Sequence, residues 1–116
     1  MFEENEVREA TLEYFSGDEL ATNVFMTKYC LRDKKGNFVE KTPDDMHKRL
    51  AKEFARMEDK FITRKSNHLT EDGIYTFLKD FKYIVPQGSP MMGIGNDYLN
   101  VSLSNCVVVD NPQDSV

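Results

Sequence analysis

Apolar residues recur at helical spacing through most of the chain, and the spacing breaks down after Pro86. Residues 3–15 alternate charged and apolar positions, which predicts a helix that Gly17 ends. Ser16 with Glu19 three residues on predicts a capping box for a second helix. This second helix contains Leu20, Val24, Phe25, Lys28 and Tyr29. We therefore expect two short helices at the start of the chain.

A turn follows the second predicted helix. Residues 33–37 read Asp-Lys-Lys-Gly-Asn, a combination typical of tight turns. The short apolar segments on either side, 29–31 and 38–39, predict a small hairpin.

The clearest predicted helix is the one over residues 42–61. Thr42 provides an N-cap, Pro43 the first helical position and Asp44 an acidic first turn. Its apolar stripe predicts burial of one face, formed by Met46, Leu50, Phe54, Met57 and Phe61. Thr70 predicts the cap of a further helix, whose buried face contains Ile74, Phe77, Leu78 and Phe81.

The last third of the chain has a different character. Residues 85–95 are rich in Gly and Pro and predict a loop, and the β-branched run in 98–109 predicts a strand. A single strand leaves its backbone groups unpaired, so we expect further strands to come from chain outside this sequence. The predicted organisation is an α+β fragment, with a helical region in 1–82 and a loop and strand in 83–116.

Charge supports this division. Residues 83–116 contain only three charged side chains, Asp97, Asp110 and Asp114, too few for an exposed surface. The whole chain has a net charge of -5, which argues against binding a nucleic-acid polymer. No apolar run is long enough to span a membrane, and the acidic start differs from a leader peptide, so we expect a cytoplasmic protein.

Few residues are candidates for chemistry. Cys106 lies between a polar turn and three valines, and from this context alone we expect a buried free cysteine. Cys30 is interpreted as a packing residue. The glycines around Ser89 could converge on an anion, but a plain turn is the simpler interpretation. His47 and His68 lack metal-ligand spacing and are predicted to lie at the surface.

Taken in order, several stretches resemble the N-terminal part of the catalytic (large) subunit of ribonucleotide reductase. The similarity runs from residues 20–23 through 28–40 and 42–51 to the segments 86–93 and 103–115. Its most specific feature is Ser89-Pro90 followed by Leu103-Ser-Asn-Cys106. The sequence of this last motif is most similar to that of the adenosylcobalamin-dependent class II enzymes, and class I is left open.

The resemblance implies roles for three residues. Ser89 would help to hold the substrate, a ribonucleoside di- or triphosphate. Asn105 and Cys106 would line its sugar at the end of the first strand of a ten-stranded α/β barrel. Cys106 would be one half of a redox-active dithiol that an external dithiol reductant restores, which reverses the interpretation of Cys106 as a packing residue.

The remaining family features have no counterpart in this sequence. The resemblance implies that a companion chain carries the rest of the barrel, the partner cysteine and most of the adenosylcobalamin site, and that this chain is inactive alone. The alternative is a free-standing helical module that binds a partner by adding its valine-rich strand to the partner's sheet. The alternative predicts no dependence on nucleotides.

Overall fold

The computed structural model describes residues 1–61 and 68–103. Helices make up most of this part of the chain, and none of the described helices is long and apolar enough to cross a bilayer. The elements are α1 (Glu4–Tyr14), α2 (Glu19–Val24) with a π-helical turn (Phe25–Tyr29), α3 (Pro43–Phe61), α4 (Glu71–Leu78) with a 3-10 turn (Lys79–Phe81), and α5 (Gly88–Gly93).

The connection between α1 and α2 corrects the predicted capping box. Gly17 ends α1 as expected, with φ +89° and its N–H bonded to the Leu12 carbonyl at 2.8 Å. Ser16 also takes a left-handed conformation, with φ 55°. This turn uses Ser16 to close α1, so α2 begins two residues later and Asp18 caps it by accepting the Ala21 N–H at 3.0 Å.

The second helix changes its hydrogen-bond pattern part of the way along. Beyond Val24 it widens into the π-helical turn, which ends where the Cys30 N–H donates to the Phe25 carbonyl at 2.8 Å. Phe25 and Met26 in this turn are buried, and so is Cys30. The interpretation of Cys30 as a packing residue is confirmed.

The predicted hairpin is present in a minimal form. Arg32 and Phe38 form one antiparallel bridge, and Phe2 near the start of the chain forms a second bridge to the same Phe38. The turn is held by the Asp33 carboxylate, which accepts the backbone N–H groups of Lys35 and Asn37 at 2.8 and 2.9 Å.

Helices α3 and α4 begin where the sequence predicts. α3 starts at Pro43, and the Asp45 carboxylate reaches back to accept the N–H groups of Lys41 and Thr42 at 2.9 and 3.3 Å. α4 is capped by the Thr70 hydroxyl, which accepts the Gly73 N–H at 3.1 Å.

The core is centred on the first half of α3. Met46 and Leu50 are fully buried there, where each contributes about 1.5–3 kcal/mol. They form one buried cluster with residues of α1, the π-helical turn, the hairpin and its start, α3, α4 and α5: Val7, Phe25, Met26, Cys30, Phe38, Ala51, Ile74, Leu78 and Met91. The second half of the predicted stripe is not buried, because Phe54 is 39 % exposed and Phe61 78 %. Met57 and, on α4, Phe77 are exposed in the same way.

The prediction of a surface position for His47 is wrong. His47 is fully buried, and the ring of Phe81 lies edge-on to it with centroids 4.5 Å apart. Asp80 and Phe81 both have positive φ, 56° and 55°, which folds the 3-10 turn back over α3. Left-handed backbone at two successive residues other than glycine leaves no mark in a hydrophobic pattern. His68 is half-buried.

The prediction for the region after Pro86 also needs correction. Residues 88–93 form the short helix α5 where a loop was expected. Residues 98–103, the first half of the predicted strand, contain no strand, and residues 104–109 lie outside the described part. Just before Pro86, Ile84 and Val85 are exposed in this chain.

Candidate functional site

Ser89 is the predicted site residue that the structure describes. It lies in the first turn of α5 and is half-buried. Asn105 and Cys106 lie outside the described residues, so their positions relative to Ser89 stay predictions. The site can therefore be built from α5 and the elements that hold it.

The N-terminal end of α5 packs against the π-helical turn. A Cβ atom placed on Gly88 would lie 3.0 Å from Cε1 of the Tyr29 ring. Glycine at this position therefore allows the helix to approach the ring closely. In the same helix Met91 is buried in the core, so the orientation of Ser89 follows from contacts on both of its sides.

The other end of α5 is held by a buried ion pair. Glu40, after the hairpin, and Arg49, on α3, are joined by an Nε–Oε1 distance of 3.1 Å, with side chains only 6 % and 9 % exposed. The Arg49 guanidinium also donates to the carbonyl of Met91 at 2.7 Å and to that of Ile94. One side chain thus ties the hairpin, α3 and the end of α5 together.

Glu40 is the most constrained carboxylate of this arrangement. Its Oε1 accepts the Leu31 N–H at 2.8 Å as well as Arg49, while Oε2 is buried without a partner among the described residues. Burial raises the pKa of Glu40, and Arg49 opposes that rise. We infer a structural role for Glu40 and Arg49, because the contacts of both side chains hold elements of the fold together.

The neighbouring Cys30 is a poor candidate for redox chemistry. Its Sγ donates to the Glu40 carbonyl at 3.2 Å. Burial, with a smaller contribution from the Glu40 charge, raises the pKa of the Cys30 thiol to about 12. A thiol protonated at neutral pH is a weak nucleophile, so the structure removes Cys30 from the candidates for a dithiol.

Beyond α5 the chain turns back onto the same helix. The Asn96 side chain accepts the N–H groups of Tyr98 and Leu99 at 2.9 and 3.2 Å. Val101 and Leu103 then pack against Gly93, where any Cβ would collide with the Val101 side chain. The segment that leads toward Asn105 therefore lies against α5.

The resemblance assigns the adenosylcobalamin site mainly to the companion chain. His47 has two ring nitrogens without hydrogen-bond partners in this part of the chain, but it is fully buried behind Phe81 and could not reach a cobalt ion. Within residues 1–61 and 68–103, no group of three or more His, Cys, Asp or Glu side chains could hold a metal ion.

Sequence reasoning missed Glu40, Arg49 and the burial of His47. The ion-pair residues are nine positions apart on different elements, so no helical period connects them. Arg49 has the same charge as its neighbour Lys48, which is exposed. The two residues differ in that Arg49 contacts the end of α5, and the sequence does not show where α5 lies.

The fold is thus a helical domain with a small hairpin, in which α5 and the segment after it carry the candidate residues. A family model described as "Ribonucleotide reductase, all-alpha domain" matches residues 15–97. The chain belongs to this family, which confirms the resemblance at the level of ribonucleotide reductase. Comparisons with curated proteins and with solved structures gave no match.

Proposed function

We propose that this chain is the N-terminal part of a ribonucleotide reductase catalytic subunit, active with a companion chain that carries the rest of the barrel. The observation that carries the proposal is the family match over residues 15–97. The match ends before Asn105 and Cys106, so their roles rest on the resemblance of the Leu103–Cys106 motif. The predicted strand that would bear them is part of the proposal.

In the proposed reaction, Cys106 and a cysteine of the companion chain act as a dithiol. The two thiols give up two electrons and two protons and form a disulfide, while the ribose 2′-hydroxyl leaves as water. An external dithiol then reduces this disulfide and is itself oxidised. Adenosylcobalamin, in the class II form of the proposal, would be held mainly by the companion chain and would supply the radical.

Covalent geometry supports a common location for the three proposed residues. Leu103 packs beside Gly93, which is about 6 Å along α5 from Ser89. Leu103 and Cys106 are three residues apart, and three residues of extended chain span at most about 11 Å. A ribonucleotide contacted by Ser89 is of the size to bridge such a distance.

An apolar groove supports the need for a companion chain. It has a volume of about 510 Å³ and is lined by Phe54, Glu58, Leu69, Ile74, Phe77, Leu78, Ile84, Pro86, Pro90 and Ile94. Exposed apolar surface of this kind marks interaction sites. A domain of a reductase has the rest of the catalytic subunit as its natural neighbour.

The test is reconstitution with the companion chain. Deoxyribonucleotide formation is measured with ribonucleoside diphosphates and triphosphates, with and without adenosylcobalamin, and with an external dithiol. We expect activity only when both chains are present, and we expect Cys106→Ser to abolish repeated turnover. Cys30→Ser is the matched control and keeps its activity, because that thiol is buried and protonated.

Full turnover by the Cys106→Ser variant would contradict the redox role. The alternative of a free-standing interaction module depends on the same predicted strand, whose valine-rich half lies outside the described residues. The family match over residues 15–97 favours the reductase.

A further inference from the structure

We propose that a cavity beside the π-helical turn binds the phosphate groups of a nucleotide. The cavity has a volume of about 330 Å³ and lies between this turn, the hairpin and the end of α5. The lining residues that bear on the argument are Thr27, Lys28, Arg32, Lys34, Met92 and Asn96. Its size is at the lower end of the range for small-molecule sites.

The charge of this cavity is opposite to that of the chain. Lys28, Arg32 and Lys34 line it together with a single carboxylate, Asp33, although the whole chain has a net charge of -5. The Asp33 oxygens already accept two backbone N–H groups of the hairpin turn. Among the described residues, none of the three cations has a carboxylate within 4.0 Å.

Arg32 is the cation best prepared for a phosphate. Its Nη2 donates to the Met26 carbonyl at 2.9 Å, and its guanidinium lies over the Phe38 ring at 4.1 Å from the centroid. The bond to Met26 uses one of the five N–H donors of the group. A guanidinium fixed in this way loses little conformational freedom when it forks onto phosphate oxygens.

The π-helical turn is the second independent feature. Such turns are rare and occur frequently at functional sites. Here the turn carries Lys28 one residue before its end, directly before the Tyr29 that packs against Gly88. It therefore brings a cation to the face of the molecule where α5 begins.

Ser89 does not line the cavity itself, but it lies about one helical turn along α5 from a residue that does. Met92, which lines the cavity, is three residues from Ser89, and residues at this spacing are neighbours on a helix. A nucleotide contacted by Ser89 could place its phosphates among the three cations. This step deepens the proposed function, and the choice of a nucleotide as ligand rests on it.

The experiment is calorimetric titration of the full chain with three probes. Inorganic pyrophosphate tests the phosphate site alone, a ribonucleoside diphosphate tests the nucleotide, and the nucleoside without phosphate is the blank. We expect the first two to bind and the nucleoside to show no binding. Binding should weaken as salt increases, because the contacts are between exposed charges.

Charge-neutralising variants locate the site. We expect Arg32→Gln to weaken pyrophosphate binding about tenfold or more, and Lys28→Gln and Lys34→Gln to weaken it by smaller factors. The last two side chains are exposed, so these variants keep the test valid if Arg32→Gln fails to fold. Lys60→Gln, on the exposed end of α3, is the matched control and leaves binding unchanged.

The outcomes separate this proposal from the previous one. Pyrophosphate that does not bind, or that binds equally to the control and to all three variants, overturns the site and leaves the reductase proposal standing. A Cys106→Ser variant that keeps full turnover would overturn the redox role of Cys106 and would leave the phosphate site standing. Ser89→Ala then identifies the source of the phosphates: weaker binding of the diphosphate but not of pyrophosphate indicates the substrate, and no change indicates a second nucleotide.

Discussion

At the scale of single residues, His47 is the group whose environment departs most from expectation. It is fully buried with two ring nitrogens that have no partner in the described chain. Burial lowers its pKa below the usual 6.5, and the nearby Asp44 and Asp80 oppose that shift less strongly. The folded state therefore holds His47 neutral, while the unfolded chain takes up a proton near the usual value.

This difference makes acid destabilising. Because the unfolded state binds the proton more readily, stability is highest above the unfolded pKa and is lost as the pH falls through it and toward the folded pKa. We expect the free energy of unfolding to decrease from about pH 7 to about pH 5, by up to about 1.4 kcal/mol per pH unit from this residue. Urea unfolding at several pH values measures it.

The control distinguishes the two histidines. In the variant His47→Leu this part of the pH dependence should disappear, whereas His68→Leu should retain it. A wild-type slope in His47→Leu would show that another group is responsible.

At the scale of elements, α5 depends on a side chain from another helix. Arg49 bridges Glu40 to the carbonyls of Met91 and Ile94. We expect Arg49→Met to cost about 3–5 kcal/mol, because it leaves the Glu40 carboxylate buried without a counter-charge. Urea unfolding measures the loss, and hydrogen exchange should show faster exchange in α5.

A double variant tests whether the buried charge of Glu40 causes this loss of stability. Glu40→Gln combined with Arg49→Met removes both charges and keeps an acceptor for the Leu31 N–H, so it should be more stable than Arg49→Met alone. Arg56→Met breaks an exposed pair with Glu53 and should change stability little. Equal losses in the single and double variants would contradict the buried-charge argument.

The same elements show what the sequence can predict. α3 and α4 start at Pro43 and after Thr70 as predicted, because caps and first-turn residues act within a few positions. α5 was missed because its Gly and Pro content is typical of a loop, and its helical form depends on Tyr29, Met91 and the distant Arg49. Local signals are readable, and long-range packing is not.

The candidate site also has a part that the sequence indicates and a part that it does not. The motif containing Ser89 was found from its resemblance to a family, and the family match covers this segment. The role of Ser89 in holding the substrate stays a prediction. The ion pair that holds the end of α5 has no local pattern, so only the structure shows it.

At the scale of the whole molecule, a substitution in the apolar groove should affect assembly with the companion chain more than it affects folding. Phe77 on α4 is 46 % exposed although it belongs to the predicted buried stripe. If the companion chain covers the groove, Phe77→Ser should weaken the complex about tenfold or more. The stability of the isolated chain should change by about 1 kcal/mol or less, since the side chain is half-exposed.

Leu20→Ser provides the comparison for that experiment. Leu20 is 75 % exposed on α2 and does not line the groove, so the same loss of apolar surface there should leave assembly intact. Affinity for the companion chain and urea unfolding are measured on both variants. Along the stripe of α3, Met46 and Leu50 are buried and stabilise this chain, whereas Phe54, which lines the groove, is 39 % exposed. Equal affinities for Phe77→Ser and Leu20→Ser would mean that the companion chain does not cover the groove.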